Sequence, residues 1–238
     1  MQLNLSAQKI AILIVIFAII LFTAGAGYSI YITNTKNYLA GSPPKELTQK
    51  IPAKQVPYNQ IKPPALNPDD AFLIGSPSST YGIIFYGDYT NPKSNELLKD
   101  LITALEPYGD LIRLNYRFLP KTTDEGDIGY ETAIVSECSR LFGGNWIIHE
   151  LLAQSDTKKL NKSSLRQMIQ NASLEPEIIS VCQYNTTIRE QIGTAIDTAK
   201  GDGIDEAPFI FVGTEAIPAS EATTEKVLNA VKSYVSNF

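Results

Sequence analysis

Apolar positions along this chain of 238 residues fall into three kinds of block. The first is continuous: Ile10 to Gly27 contains no charged residue, and the apolar character persists through Tyr28, Ile30, Tyr31 and Ile32. Residues 10–32 are long enough to cross a ~30 Å hydrocarbon layer as one helix. Lys9 flanks one end, and Tyr28 and Tyr31 fall where an interfacial aromatic belt belongs. The second kind is short and β-prone. Tyr81 to Tyr86 and Phe209 to Val212 read as buried strands, with a further β signal from Thr214 to Ile217. Leu111 to Leu119 alternates, with Leu111, Arg113, Asn115 and Arg117 set against Ile112, Leu114, Tyr116 and Phe118. The third kind is helical. Pro92 to Leu105 carries Leu97, Leu98, Leu101, Ile102 and Leu105 on one side. From Ile128 to about Lys200 the helical pattern breaks near Gly143-Gly144, Ser155-Asp156 and Leu174-Glu175-Pro176, and a last helix runs from about Glu221 to Val235.

Between the first block and the rest, residues 33–66 show little apolar periodicity. Gly41-Ser42-Pro43-Pro44, then Pro52, Pro57, Pro63 and Pro64 with scattered lysines, predict a semi-extended tether. The expected order is therefore a short tail over 1–9, a transmembrane anchor over 10–32, a Pro/Lys-rich linker over 33–66 and one globular domain over 67–238. The domain carries a helical insert at about 128–203, and no internal repeat is present. A cleaved signal peptide ending at Ala24-Gly25-Ala26 is the alternative to the anchor. The anchor is favoured because the apolar run continues past that point, and either reading exports the remainder of the chain.

Charge sharpens this division. Residues 1–66 hold six lysines and one glutamate, leaving 14 basic and 24 acidic residues for 67–238. A domain with ten surplus carboxylates is a poor match for a phosphate backbone, so nucleic acid is not an expected partner. The basic linker either touches anionic headgroups or keeps itself solvated.

One handover concentrates the candidate chemistry. The apolar run Ile83-Ile84-Phe85-Tyr86 leads through Gly87 into Asp88-Tyr89-Thr90-Asn91-Pro92-Lys93-Ser94 and thence into a helix. Much later, Ala207-Pro208 opens the run Phe209-Ile210-Phe211-Val212. Strand, x-Pro-x-x helix start, helical insert and Pro-led strand resemble the DsbA-like thiol–disulfide oxidoreductases over essentially all of 67–238. The resemblance implies an α/β thioredoxin-like fold with an inserted helical subdomain, here preceded by an N-terminal transmembrane helix. It also implies a cis bond at Pro208, with its neighbours offering backbone groups to an extended peptide. The family's handover reads Asp-aromatic-x-Cys-Pro-x-Cys, and here Asn91 and Ser94 stand where both cysteines belong. A thioredoxin-type thiolate draws its stability from the unpaired N–H groups and dipole of a helix N-terminus, and a second cysteine resolves the mixed disulfide. Neither Asn nor Ser can form a disulfide, so dithiol exchange at residues 91–94 is not expected.

Asn91 followed by Pro92 is a good helix start in its own right, since Asn caps and Pro suits the first helical position. The segment then serves as a plain helix start, or its exposed end binds an anion or a peptide carbonyl. Kappa-class glutathione transferases share the layout with a Ser in the first position, whereas here Asn stands first and Ser94 second. Pro208 either supports the fold or keeps a peptide-docking edge with Ala207.

Cys138 and Cys182 are the chain's two cysteines. Similar positions in exported members of the resembling family bridge two helices of the insert, so a structural disulfide is the simplest reading. Two buried thiols or a relocated redox pair are the alternatives. His149 has no second histidine to join it, which leaves a metal site without support and a packed side chain as its expected role. No cofactor is called for. Asn161-Lys162-Ser163, Asn171-Ala172-Ser173 and Asn185-Thr186-Thr187 fit the glycosylation pattern.

Together these readings predict a single-pass cell-membrane protein whose C-terminal domain lies outside the cytoplasm. The domain would bind a peptide or an envelope protein without redox activity. A disulfide oxidoreductase or a glutathione-dependent enzyme of the kappa type is the alternative function.

Overall fold

Seven β-prone residues, Tyr81–Gly87, form the central strand of the domain, with Ile83, Ile84, Phe85 and Tyr86 all buried. We describe it from a computed structural model that covers residues 57–66, 71–76 and 78–236. The tail 1–9, the expected anchor 10–32 and most of the expected linker lie outside the described residues. Among the described residues, no helix is long and apolar enough to cross a membrane.

The strands are β1 (Ala71–Ile74), β2 (Tyr81–Gly87), β3 (Ile112–Phe118), β4 (Phe209–Val212) and β5 (Glu215–Ile217), in sheet order β1-β3-β2-β4-β5. Strand β2 pairs parallel with β3, from Tyr81 opposite Ile112 to Gly87 opposite Phe118. It pairs antiparallel with β4, from Ile83 opposite Val212 to Tyr86 opposite Phe209. A parallel pair needs a crossover, and α1 (Pro92–Leu105) supplies it, burying Leu97, Leu98, Leu101 and Leu105. Each such side chain removed from water contributes about 1.5–3 kcal/mol. The insert follows as α2 (Ile128–Leu141), α3 (Asn145–Gln154), α4 (Lys162–Asn171), α5 (Pro176–Gln183) and α6 (Thr186–Gly201), and α7 (Thr224–Ser236) closes the fold. Its breaks coincide with Gly143-Gly144, Ser155-Asp156 and the turn before Pro176.

Three features differ from the periodicity. Strand β1 is an antiparallel edge strand on β3 whose register shifts between Phe72 and Ile74, and its four residues show no pattern of their own. In β3 the polar positions are buried as well as the apolar ones: Arg113 and Asn115 are covered, and Asn115 donates Nδ2 to the Ile83 carbonyl at 3.1 Å. Finally, the last ten residues of the expected linker belong to the domain. Ile61 is buried, Arg117 donates Nη2 to the Ala65 carbonyl at 2.7 Å, and Leu66 lies over β2. That approach needs Gly82, because a Cβ there would sit 2.2 Å from Leu66 Cδ1.

Cys138 and Cys182 form a disulfide between α2 and α5 with Cα atoms 5.8 Å apart, so neither cysteine of the chain is a free thiol. A sequence separation of 44 gives a loop whose closure stabilises the folded state by about 4 kcal/mol on a chain-entropy argument. Cys138→Ala with Cys182→Ala should lower unfolding free energy by about 2–4 kcal/mol in a denaturant titration. An unchanged midpoint would show that the bridge adds nothing to the helix packing.

Candidate functional site

Asn91 is the N-cap of α1, in extended backbone at φ −87° and ψ 114°. Its side chain works in two directions. Oδ1 accepts the Ser94 N–H at 3.1 Å, filling one of the helix's open donors. Nδ2 donates to the Ala207 carbonyl at 3.0 Å, across 116 residues of sequence. The handover and the Pro-led strand therefore meet, and the Ala207–Pro208 bond is cis. Ala207 and Pro208 are buried, while Asp205 and Glu206 before them are exposed.

The other motif residues divide between surface and interior. Pro92 and Lys93 are exposed, and Lys93 reaches the Ala219 carbonyl with Nζ at 2.5 Å, tying the helix start to the connection after β5. Ser94 is only 1% exposed, and its Oγ accepts the Asp88 N–H at 3.1 Å. A hydroxyl so enclosed is not presented to an incoming thiol or peptide.

Behind the handover lies a layer that the motif alone does not disclose. Asp88 is buried, and its Oδ1 accepts from the Thr90 backbone N–H at 2.8 Å and the Thr90 hydroxyl at 2.6 Å. Burial pushes its carboxyl above the ordinary aspartate range, the Thr90 hydrogen bonds pull it back, and the charge of Asp127 adds to the rise. The Asp88-x-Thr90 spacing was a legible signal for such a turn. Tyr89 is fully buried and shares a 2.6 Å hydrogen bond between its Oη and His149 Nδ1. Tyr89 stacks on Tyr116 at 4.8 Å, and His149 lies against Phe118 at 5.6 Å. His149 is 1% exposed, and burial lowers its pKa to about 3, so the ring is neutral. Tyr58, from the strap before β1, lies beside Phe209 with ring centroids 6.0 Å apart. Nothing in the hydrophobic pattern marked Tyr58 or the Ala219 carbonyl, since both contacts depend on the assembled sheet.

Chemically, the arrangement offers a helix N-terminus with its donors largely capped, a strand carbonyl held by an amide, and no sulfur at the crossing. Cys138 and Cys182 are bonded to each other in the insert rather than placed in the motif. Among the described residues, no group of three His, Cys, Asp or Glu side chains is placed to hold a metal ion.

A thioredoxin-type domain with an inserted helical subdomain is the class that this sheet order and handover define. No protein-family model matches the sequence, and neither does any curated protein. Solved structures share the fold. A thioredoxin-like oxidoreductase from Silicibacter pomeroyi aligns with a TM-score of 0.61 at 18% identity, over 71% of this chain and 94% of its own. BdbD from Bacillus subtilis aligns at 0.59 and 16%, over 70% and 93%. The thiol-disulfide exchange protein alpha-DsbA2 from Wolbachia pipientis aligns at 0.56 and 14%, over 69% and 86%. The fold is thus the DsbA-like form of the thioredoxin domain.

Two measurements test this layer. Asn91→Ala removes both the cap and the tie to Ala207 and should cost about 2 kcal/mol in chemical denaturation, whereas Asn91→Ser keeps an acceptor and should cost about 1. Equal losses would mean that the cap adds nothing, and an unchanged stability in Asn91→Ser would mean that the Ala207 hydrogen bond adds nothing. For His149 the folded pKa lies below the unfolded value of 6.5, so the unfolded chain binds the extra proton. Stability from this group is complete above pH 6.5 and falls toward pH 3, by up to about 1.4 kcal/mol per pH unit. Asp88, shifted upward, has the opposite sign and gains stability with acid. His149→Phe should flatten the acid limb between pH 6 and 4, and a limb of unchanged slope would assign it to other groups.

Proposed function

We propose that this domain is a DsbA-like peptide- or protein-binding module that does not exchange disulfides. In this reading it is held on the outer side of a cell membrane by residues 10–32. The observation that carries the proposal is the Asn91–Ala207 hydrogen bond at 3.0 Å. It supports the reading by keeping the helix start and the Pro-led strand of a thioredoxin-type site together, with an amide where electrons would have to pass. The disulfide supports it further, because both cysteines of the chain are consumed at Cys138 and Cys182. The exposed chain at Asp205 and Glu206, leading into Ala207-Pro208, is the edge to which an extended segment would add. Ser94, enclosed and already accepting from Asp88, supplies no reason to prefer glutathione chemistry.

Thiol titration of the full chain should find no reactive thiol in the native or the denatured state, and no catalysed oxidation of a reduced, unfolded substrate protein. Asn91→Cys with Ser94→Cys should create such oxidase activity, because the helix N-terminus would then stabilise a thiolate. Turnover by the natural chain would overturn the non-redox part of the reading. An inert double variant would show that this helix end is not presented to substrates. In-cell photo-crosslinking from Glu206 tests the binding part: a captured peptide or protein supports it, and a bare chain removes it.

A further inference from the structure

Parts of four helices of the insert border a cavity of about 230 Å³. Helix α4 turns one face to it, with Lys162, Leu165, Arg166 and Ile169 recurring at helical spacing. Helix α5 does the same with Pro176, Ser180 and Gln183. Glu131 in the first turn of α2 and Arg189 in the first turn of α6 complete the wall, and the exposed Glu125 lines it as well.

The walls are tied to one another. The disulfide bonds α2 to α5. Arg189 Nη2 donates to both carboxylate oxygens of Glu131, at 2.9 and 3.1 Å, and the Glu131 side chain is only 6% exposed. Arg189 Nε donates to the Gln183 carbonyl at 2.7 Å, and Tyr130 Oη donates to the Arg189 carbonyl at 2.8 Å. These bonds join α2, α5 and α6 around the cavity. A ligand would therefore meet a site already shaped, at little ordering cost.

The lining charges divide into those already spent and those still open. Arg189 is spent on Glu131, and Arg166 on Glu177 at 2.6 Å. The side chains of Lys162 and Glu125 form no hydrogen bond or ion pair among the described residues. They lie close together, since a Cβ at Gly126, the residue after Glu125, would sit 4.0 Å from Lys162 Nζ. Beside them Leu165 and Ile169 are buried and apolar. One open cation and one open carboxylate, next to each other and to an apolar floor, complement a molecule with both charges at one end and a hydrocarbon at the other. A polyanion would set its charge against Glu125 and Glu131, and a neutral apolar molecule would leave both open charges unmet. The volume lies below the ~300 Å³ at which sites for drug-sized ligands begin, which suits a single residue rather than a peptide.

We infer that this cavity binds a free α-amino acid with a large apolar side chain. Its carboxylate sits at Lys162, its ammonium at Glu125 and its side chain over Leu165 and Ile169. This inference is independent of what binds beside Pro208.

Calorimetric titration of the full chain in a nonionic maltoside detergent tests it, with L-phenylalanine and L-leucine as probes and detergent alone as the blank. Saturable one-to-one binding of at least one of them is expected. The matching deaminated acid and decarboxylated amine should each bind about tenfold more weakly, since each lacks one charged contact. Lys162→Met and Glu125→Gln should each weaken binding of the amino acid about tenfold. The melting midpoint should not change, because both side chains are exposed. The pairing of variant and probe locates the charges: Lys162→Met should leave the amine's affinity as it was, and Glu125→Gln the acid's. The inference is overturned if neither amino acid binds, or if either analogue binds as tightly as its parent. It is overturned too if either variant leaves the amino acid's affinity unchanged.

Discussion

One side-chain amide closes this fold. Asn91 accepts from the first turn of α1 and donates to the carbonyl of Ala207, so a single carboxamide joins the β2–α1 unit to the strand that returns after the insert. The two segments are far apart in sequence and adjacent in space, and the sheet alone would align them only through the β2–β4 ladder. The amide adds a fastening at the end of that ladder, where strand pairing stops at Tyr86 and Phe209. Lys93, gripping the Ala219 carbonyl, fixes the same helix start to the opposite flank of β4 and β5.

That constraint also sets the chemistry. A helix N-terminus stabilises an anion because its N–H groups lack partners. Here the Asn91 side-chain oxygen Oδ1 occupies the Ser94 N–H, and the Asp88 N–H is spent on the Ser94 hydroxyl. Both donors are satisfied by neutral groups. An amide and a hydroxyl thus complete the hydrogen bonding of the helix start without a charged group. One acceptor of the Pro-led strand, the Ala207 carbonyl, is likewise engaged from within the domain.

The sequence disclosed those parts of the molecule whose signal is local. Pro92 after Asn91, the leucine stripe to Leu105, the Gly and Pro breaks of the insert and the apolar run after Pro208 each carry their period or punctuation in a few residues. Strand β1 escaped because four residues on a shifted edge register are too few to show alternation. The strap from Pro57 to Leu66 read as linker because it uses isolated anchors, Ile61 and Leu66, between prolines, and a lone apolar residue has no period. In β3 the alternation was real, yet Arg113 and Asn115 are covered too, because the strand sits between β1 and β2 rather than at an edge. The partners of Asn91 and Lys93 are backbone carbonyls, which no side-chain pattern records.

Beneath the handover, the polar groups explain why the loop holds its shape without a dithiol. Burying Asp88, Tyr89 and His149 costs free energy unless each finds a partner, and each does: Thr90 for Asp88, and Tyr89 and His149 for one another. Such groups tolerate few alternative arrangements, because any shift that broke one hydrogen bond would leave a buried donor or acceptor unmet. The stacked rings of Tyr89 and Tyr116, with Phe118 against His149, fill the space around them. The apolar packing therefore supplies the stability and the buried polar pairs supply the uniqueness. Residues 88–91 stay in position for Asn91 to reach Ala207.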